Sequence, residues 1–540
     1  MSVSSVDGNT SLRQCIETII SQGPAVTNQP PNDTAALVSA IKPIVDASRV
    51  PERRQELGHP DLFGSIVSIF VGVTPSADQH NIQADSLISL RLQVLRCLGN
   101  LLADNNQNRD LFIEHSGAFQ SLKNCIIFES AGQDDTIYVQ AATALKVAFN
   151  LCNEHAPAQV ASLKAGLDRA ILQHVHTSLF ISKDDTVELA LELLGDISSH
   201  LKDITEDIDF DQDFISQLLR LPCNEDVDPD LFVDMAAAFS LYLADSRFQE
   251  AILSANQIIL AFNLLERTIF LLANSPKAEE GKTISSLLLR TLTSLSTLPA
   301  FPSSFPHNPL LITTLATRCI LTESNTDTVL PAIAACILLG NYSTPSTAAP
   351  ILSAIDLDSL YAFLSLKAYG RSRSSSSDEE LADYLHSAAG MLRLLALHAP
   401  LDTAATRTAA VALLHFPHAE VQVSALRLLR QLVLADAAAL VDGVSAGHAT
   451  ALGQVFASPE ATDRLRLELA RTLVAVLRSA ATAATKGAVV QAFLGDAKVL
   501  DALTFAVGVK EMPLANAEGY LGLVLGGYCE AEAGYRRGGG

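Results

Sequence analysis

Residues 92–126 read LQVLRCLGNLLADNNQNRDLFIEHSGAFQSLKNCI. The leucines of the first half recur three and four residues apart, which is the spacing of one apolar helix face. Asn108 and Arg109 then sit near the start of a short helix. Gly117 is placed to adopt the positive φ that ends it, because only glycine does so without a Cβ penalty. The segment AFQSLKNCI (118–126) opens a further helix with apolar residues again at helical spacing. The stretch thus spells long helix, short helix, turn, helix.

The long apolar helix returns along the chain. It recurs as QAATALKVAFNLCNEH (140–155), VELALELLGDISSHL (187–201), LFVDMAAAFSLYLADS (231–246), VLPAIAACILLGNYSTP (329–345), VQVSALRLLRQLVLADA (421–437) and LRLELARTLVAVLRSAA (465–481). An Asn or Asp closes the early cores at Asn100, Asn150, Asp196, Asp245 and Asn341, at spacings of 50, 46, 49 and 96. The last is two repeats, and the period lies near the ~40–47 residues of armadillo and HEAT repeats. One such repeat cannot bury its own apolar face, so neighbours stack. The expected fold is all-α, an armadillo/HEAT-like right-handed superhelical solenoid of about ten repeats. Asn100, Asn150 and Asp196 are expected on its concave face. Residues 1–34 are read as a flexible N-terminus and loop and 35–530 as a single solenoid. GRSRSSSSDEE (370–380) is a Ser-rich insertion, and 531–540 a flexible tail.

Composition narrows the function. The 540 residues carry 59 Asp and Glu against 37 Lys and Arg, a net charge of −22. An acidic chain lacks the basic footprint of a nucleic-acid binder and the charge to dock on an anionic membrane. Hydrophobic residues make up 49%, too many for a disordered chain. The N-terminus MSVSSVDGNTSLRQ has no signal-peptide pattern. No run of 18 apolar residues is present to span a bilayer. The eight cysteines form no C-x-x-C pair and read as buried free thiols in a reducing compartment. A cytoplasmic location, with no direct membrane insertion, is expected.

Motifs of bond chemistry are missing. The sequence contains no phosphate-binding G-x-x-x-x-G-K-[ST], no G-x-S-x-G and no H-E-x-x-H. His174 and His176 are two residues apart on a helix and face different ways, so they do not share a metal. No cofactor, metal site or catalytic residue is expected. The strongest local anomaly is acidic: residues 203–245 hold twelve Asp and Glu against Arg220 alone. DIDFDQD (207–213) and DVDPDLFVD (226–234) fail as calcium loops, since Gln212 and Leu231 stand where position 6 needs Gly. Solvated loop ends and helix N-termini account for part of the excess. The remainder reads as a receptor for a basic partner. The absence of Trp excludes the Trp–Asn ladder by which some armadillo arrays read basic peptides.

The repeats resemble the SmgGDS family, armadillo-repeat GDP-dissociation stimulators of small GTPases, in a divergent, fungal form. LRLQVLRCLGNLLADNNQNRDLFIEHSGA (90–118) is similar to an early repeat of that family. VLPAIAACILLGNYSTP is similar to its central Asn-bearing repeat, and 498–525 to its last. Arg393, Arg430, Arg471 and Arg478 fall where the family has arginines, whereas Leu394 stands where it has Asn. The resemblance implies a Rho- or Rap-family partner, GDP-bound or nucleotide-free, with a polybasic, prenylated tail. It implies GDP release driven by protein binding, together with a chaperone role. Asn341, Tyr342, Arg393, Arg430 and Arg471 would then contact the GTPase. Asp207, Asp209, Asp211, Asp213, Asp234 and Asp245 would hold its tail. The competing reading is a non-catalytic armadillo scaffold that binds other proteins whatever their nucleotide state.

Overall fold

A computed structural model describes residues 4–22, 34–74, 85–128, 135–181, 185–205, 208, 210–225, 227–272, 275–305, 309–321, 329–369, 377–435, 453–455, 462–479 and 497–508. The insertion residues 370–376 and the tail 531–540 lie outside them, as do Glu206, Asp207, Asp209, Asp226 and Cys529. Among the described residues all regular structure is helical, as the repeat pattern requires. No single helix there is long and apolar enough to cross a membrane. The chain forms two compact units. The first holds residues 1–260 with 274–287, and the second holds 261–273 with 288–540.

The first unit opens with α1 (Ser4–Gln22) and α2 (Thr34–Ser48). A triplet follows three times. It comprises α3 (Pro51–Leu57), α4 (Pro60–Val73) and α5 (Asp85–Leu102), then α6 (Asn106–Glu114), α7 (Ala118–Ile126) and α8 (Asp135–Cys152), then α9 (Ala156–Lys164), α10 (Leu167–Phe180) and α11 (Val187–Ser198). A 3-10 turn, Leu201–Asp203, replaces the short helix before α12 (Gln212–Arg220) and α13 (Pro229–Ala244), and α14 (Ser246–Ser254) starts the next triplet. Short helix, second helix, long helix is the armadillo plan. The long helices α2, α5, α8, α11 and α13 pack each on the next, and α4, α7, α10 and α12 form a second row behind them.

The joints repeat as well. Gly117 (φ 82°), Gly166 (φ 70°) and Asn256 (φ 60°) make the left-handed step from short to second helix. Gly117 thus does what its position in the sequence requires. Asn105, His155 and Asp245 cap successive short helices by accepting a backbone N–H of the first turn. Buried side chains of α6 close the end of α5, whose last carbonyls lack helical partners. Asn108 Nδ2 donates to the Leu101 carbonyl (2.8 Å), and Arg109 Nε donates to those of Leu102 (3.1 Å) and Asn150 (2.9 Å).

Two expectations are corrected here. Residues 4–22 are a helix rather than a flexible arm, and α1 packs on α2 and α4. Ile19 is fully buried, which gives that helix a face to dock. Asp245 does not belong to the Asn100 series. It ends α13 and caps α14, so it matches Asn105, and its spacing from Asp196 is a coincidence of loop length.

The second unit contains most of α15 (Ile258–Leu272), the latter half of α16 (Ala278–Thr297), α17 (Phe301–Ser304), α18 (Pro309–Arg318) and α19 (Val329–Asn341). It continues with α20 (Ala348–Ala354), α21 (Leu357–Tyr369), α22 (Ser377–Leu395), α23 (Thr403–Leu414) and α24 (Ala419–Ala435). Its last described helices are α25 (Asp463–Ser479) and α26 (Ala497–Gly508). Ser377 to Glu380, read as insertion, form the first turn of α22. Exposed Glu379 and Glu380 suit a helix N-terminus there. Again the long helices stack in order, α19 on α22, α22 on α24 and α24 on α25.

The α19–α22 contact is close at Gly340. A Cβ built there lies 3.2 Å from the Met391 Cα and 3.3 Å from the Leu394 Cδ1. The Leu394 side chain fills the seam between these helices. Gly340→Ala gains about 1 kcal/mol of helix propensity but forces two backbones apart, at about 1–3 kcal/mol. We expect a net loss of about 1 kcal/mol, read as a lower urea midpoint with unchanged slope.

Candidate functional site

The residues singled out in the sequence fall into three groups. The first is the Asn series, which ties repeats together. Asn100 Nδ2 on α5 donates to the Val45 carbonyl (3.2 Å) and to Ser48 Oγ (3.1 Å) at the end of α2. Asn150 Nδ2 on α8 donates to the Gly99 carbonyl of α5 (3.0 Å). Asn341 Nδ2 on α19 donates to Ser296 Oγ of α16 (2.9 Å). Each amide reaches back to the last turn of the preceding long helix, where acceptors are left over. Asp196 holds the corresponding place on α11 but offers no donor. Burial raises its carboxyl from the ordinary range, and His200 partly offsets this.

The second group is the acidic segment of the first unit. Three of its acids are helix caps. Asp211 Oδ1 accepts from Phe214 N (2.8 Å), and its other oxygen pairs with Arg169 (3.3 Å). Asp228 accepts from Leu231 N (2.9 Å). Asp245 accepts from Arg247 N and pairs with the Arg247 guanidinium at 2.7 Å. Burial pushes the Asp245 carboxyl up, but the bonds from Arg247 outweigh it and hold the group below its usual range. Asp203 pairs with His200 (2.8 Å). The carboxylates of Asp211 and Asp245 are therefore already engaged by the fold. Asp213 and Asp234 are exposed, on α12 and α13. Asp230 is exposed too, with Lys277 Nζ at 3.7 Å.

The third group lies in the second unit, and Tyr342 must leave it. Its side chain is fully buried, its ring 4.5 Å from that of Phe305 and 6.4 Å from that of Phe301. A tyrosine one residue past a long helix turns inward to pack on the short helix before it. It cannot be a surface contact. The arginines, by contrast, come together. Arg393 is on α22, Arg430 on α24 and Arg471 on α25, and Arg427 of α24 joins them. At their centre is Glu468 of α25, whose side chain is only 4% exposed. Its Oε2 accepts from Arg430 Nη1 (2.8 Å). Its Oε1 accepts from Arg427 Nη2 (3.3 Å) and Arg471 Nη1 (3.3 Å). These three guanidinium groups stay about 30% exposed. Arg393 is half-buried. Burial, then repulsion from Arg427 and Arg430, weakens its hold on its proton, and Glu468 opposes this. Thr472 Oγ1 fixes α25 to α24 through the Leu426 carbonyl (3.1 Å).

Neither Glu468 nor Arg427 was singled out in the sequence. A signal was present in the three-residue spacing of Arg427 and Arg430, which places both on one face of α24. Glu468 sits among Leu465, Leu469 and Ala470, all buried, and an acid in that register requires a partner. Elsewhere, His174 is buried and His176 exposed, so the two face apart as their spacing demands. Among the described residues no group of three His, Cys, Asp or Glu side chains is placed to hold a metal. The described cysteines are free, and burial raises the Cys97 and Cys152 thiols to about 12.

Comparison with known proteins gives a partial match. A family model described as the BEM4-like N-terminal domain matches residues 18–226, within the first unit. No curated protein matches the chain. Similar solved structures include SYS-1, alone and in complex with POP-1. Each of these is 11% identical, covers 95% of this chain and 99% of its own, and has a TM-score of 0.48. A structure concerned with the cadherin and beta-catenin interaction is 14% identical over 94% of this chain and 99% of its own, at a TM-score of 0.34. Kap121p bound to Pho4p is 12% identical over 97% of this chain and 50% of its own, at 0.38.

Proposed function

We propose that this protein regulates a small GTPase of Rho or Rap type by binding it, promoting GDP release and chaperoning its prenylated form. The observation that carries this reading is the arginine cluster. An acidic chain concentrates four arginines on three successive long helices around one buried acid, a surface suited to a folded partner. The exposed Asp213, Asp230 and Asp234 add a place for a polybasic tail. If two or three tail residues each gain ~0.5–1 kcal/mol, the sum is about 1–3 kcal/mol, or roughly 10–10²-fold in affinity. Such binding weakens with salt. Exchange needs no catalytic acid or base. It needs a partner conformation that binds the protein well and the nucleotide poorly, which is differential affinity between two states.

The test is release of fluorescent GDP from Rho- and Rap-type GTPases, with and without their tails. At stoichiometric protein we expect accelerated release that drops when the tail is removed and when Asp213 and Asp234 are changed to Lys. Equal binding to every nucleotide state without acceleration would make the protein an adaptor instead.

A further inference from the structure

The geometry around Glu468 leaves one cation over. Arg427, Arg430 and Arg471 each donate to the Glu468 carboxylate. Arg393 faces Arg427 and Arg430, yet among the described residues it makes no hydrogen bond or ion pair. A half-buried guanidinium beside two others is electrostatically costly until an anion reaches it. Glu468 also holds its three arginines in a fixed fan, so the surface beside Arg393 is organised before anything binds. Glu420, the nearest acid of α24's first turn, is already paired with Arg464 (2.8 Å). One helical turn beyond Arg430, on the same face of α24, Leu434 is 67% exposed.

We propose that this cluster is a docking site for an acidic peptide segment of a partner protein. One Asp or Glu carboxylate of the segment accepts both arms of the Arg393 fork, and a leucine-type side chain beside it covers Leu434. Arginine suits this role because its planar donors match a carboxylate bidentately. The inference goes beyond the GTPase reading, since it specifies the chemistry recognised and holds for any partner that presents it.

The test uses the full chain and two fluorescein-labelled peptides, one of repeated Glu-Leu-Leu-Glu units and one with Gln for every Glu. Fluorescence anisotropy is expected to show binding of the acidic peptide only, weakened by salt. Arg393→Gln should lower affinity about tenfold, the worth of one charge-assisted fork. Arg393→Lys keeps the charge but loses the fork, and should lower it about threefold. Should the Gln variant melt early, the Lys variant decides. No binding of the acidic peptide, equal binding of the Gln peptide, or wild-type affinity in the folded variants would overturn the proposal. GDP release measured on the same proteins separates the two readings. Peptide binding lost on substitution in a protein that never accelerates release would leave this site standing and remove the GTPase function. Release that depends on the GTPase tail, with peptide binding unaffected by Arg393, would do the reverse.

Discussion

Glu468→Ala is expected to destabilise the second unit by about 3 kcal/mol, the largest effect of any single substitution considered for this chain. The carboxylate is nearly inaccessible and pairs with three guanidinium groups at 2.8–3.3 Å. Removing one partner of a buried charge group costs roughly 3–5 kcal/mol, because the remaining charges stay desolvated and unopposed. Here the arginines keep about 30% exposure, so water recovers part of that and the lower end applies. Glu468→Gln keeps an acceptor in place and should lose about half as much. Added salt screens the repulsion among the four arginines, so the deficit of the alanine variant should shrink between low and high ionic strength. Urea unfolding at the two salt concentrations measures this. A salt-independent deficit would assign the loss to packing instead of charge.

Tyr242→Phe is expected to cost about 2 kcal/mol at pH 8 and distinctly less at pH 5. Tyr242 is fully buried, in edge-to-face contact with Phe210, Phe214 and Phe248. Phenylalanine keeps that packing, so the loss isolates the hydroxyl, which donates to Asp168 Oδ2 at 3.0 Å. Asp168 is itself buried, and among the described residues its Oδ1 has no hydrogen-bond partner. Burial raises its carboxyl above the ordinary range, opposed first by the Tyr242 bond and then by Arg169 and Lys123. A carboxyl raised in the folded state gives stability that is complete in acid and falls as pH rises from the ordinary carboxylate range through the folded value. Losing the hydroxyl raises that value further and deepens the fall, since a buried group left unsatisfied costs about 1–3 kcal/mol, and more when charged. Urea denaturation of both proteins at the two pH values is the measurement. A difference that does not change with pH would mean that Asp168 keeps one protonation state throughout.

Much of this protein was legible in its sequence, and the reason lies in local geometry. Apolar spacing within LQVLRCLGNLLADNN marks a helix face whatever that face meets. Gly117 marks a left-handed step because its backbone φ of 82° disfavours other residues. Asn100 and Asn150 mark repeat joints, since helix ends leave carbonyls to be met at a fixed offset in every repeat. The acidic segment was less legible. Asp211 and Asp245 look like free charge on paper, but a cap and a nearby arginine engage both.

The sequence by itself therefore determined the fold class, the period of the repeat and the face that each helix buries, all of which follow from spacings within one turn or one repeat. Only the tertiary structure decided which side chains a partner can reach. Tyr342 and Arg393 were equal candidates as letters, yet one packs against Phe305 while the other stands half-buried beside Arg427 and Arg430. The physical reason is that spacing sets a residue's direction on its own helix, whereas burial and charge balance depend on the helix stacked against it. Glu468 meets Arg427 and Arg430 some forty residues away in sequence, a distance over which no local pattern carries information.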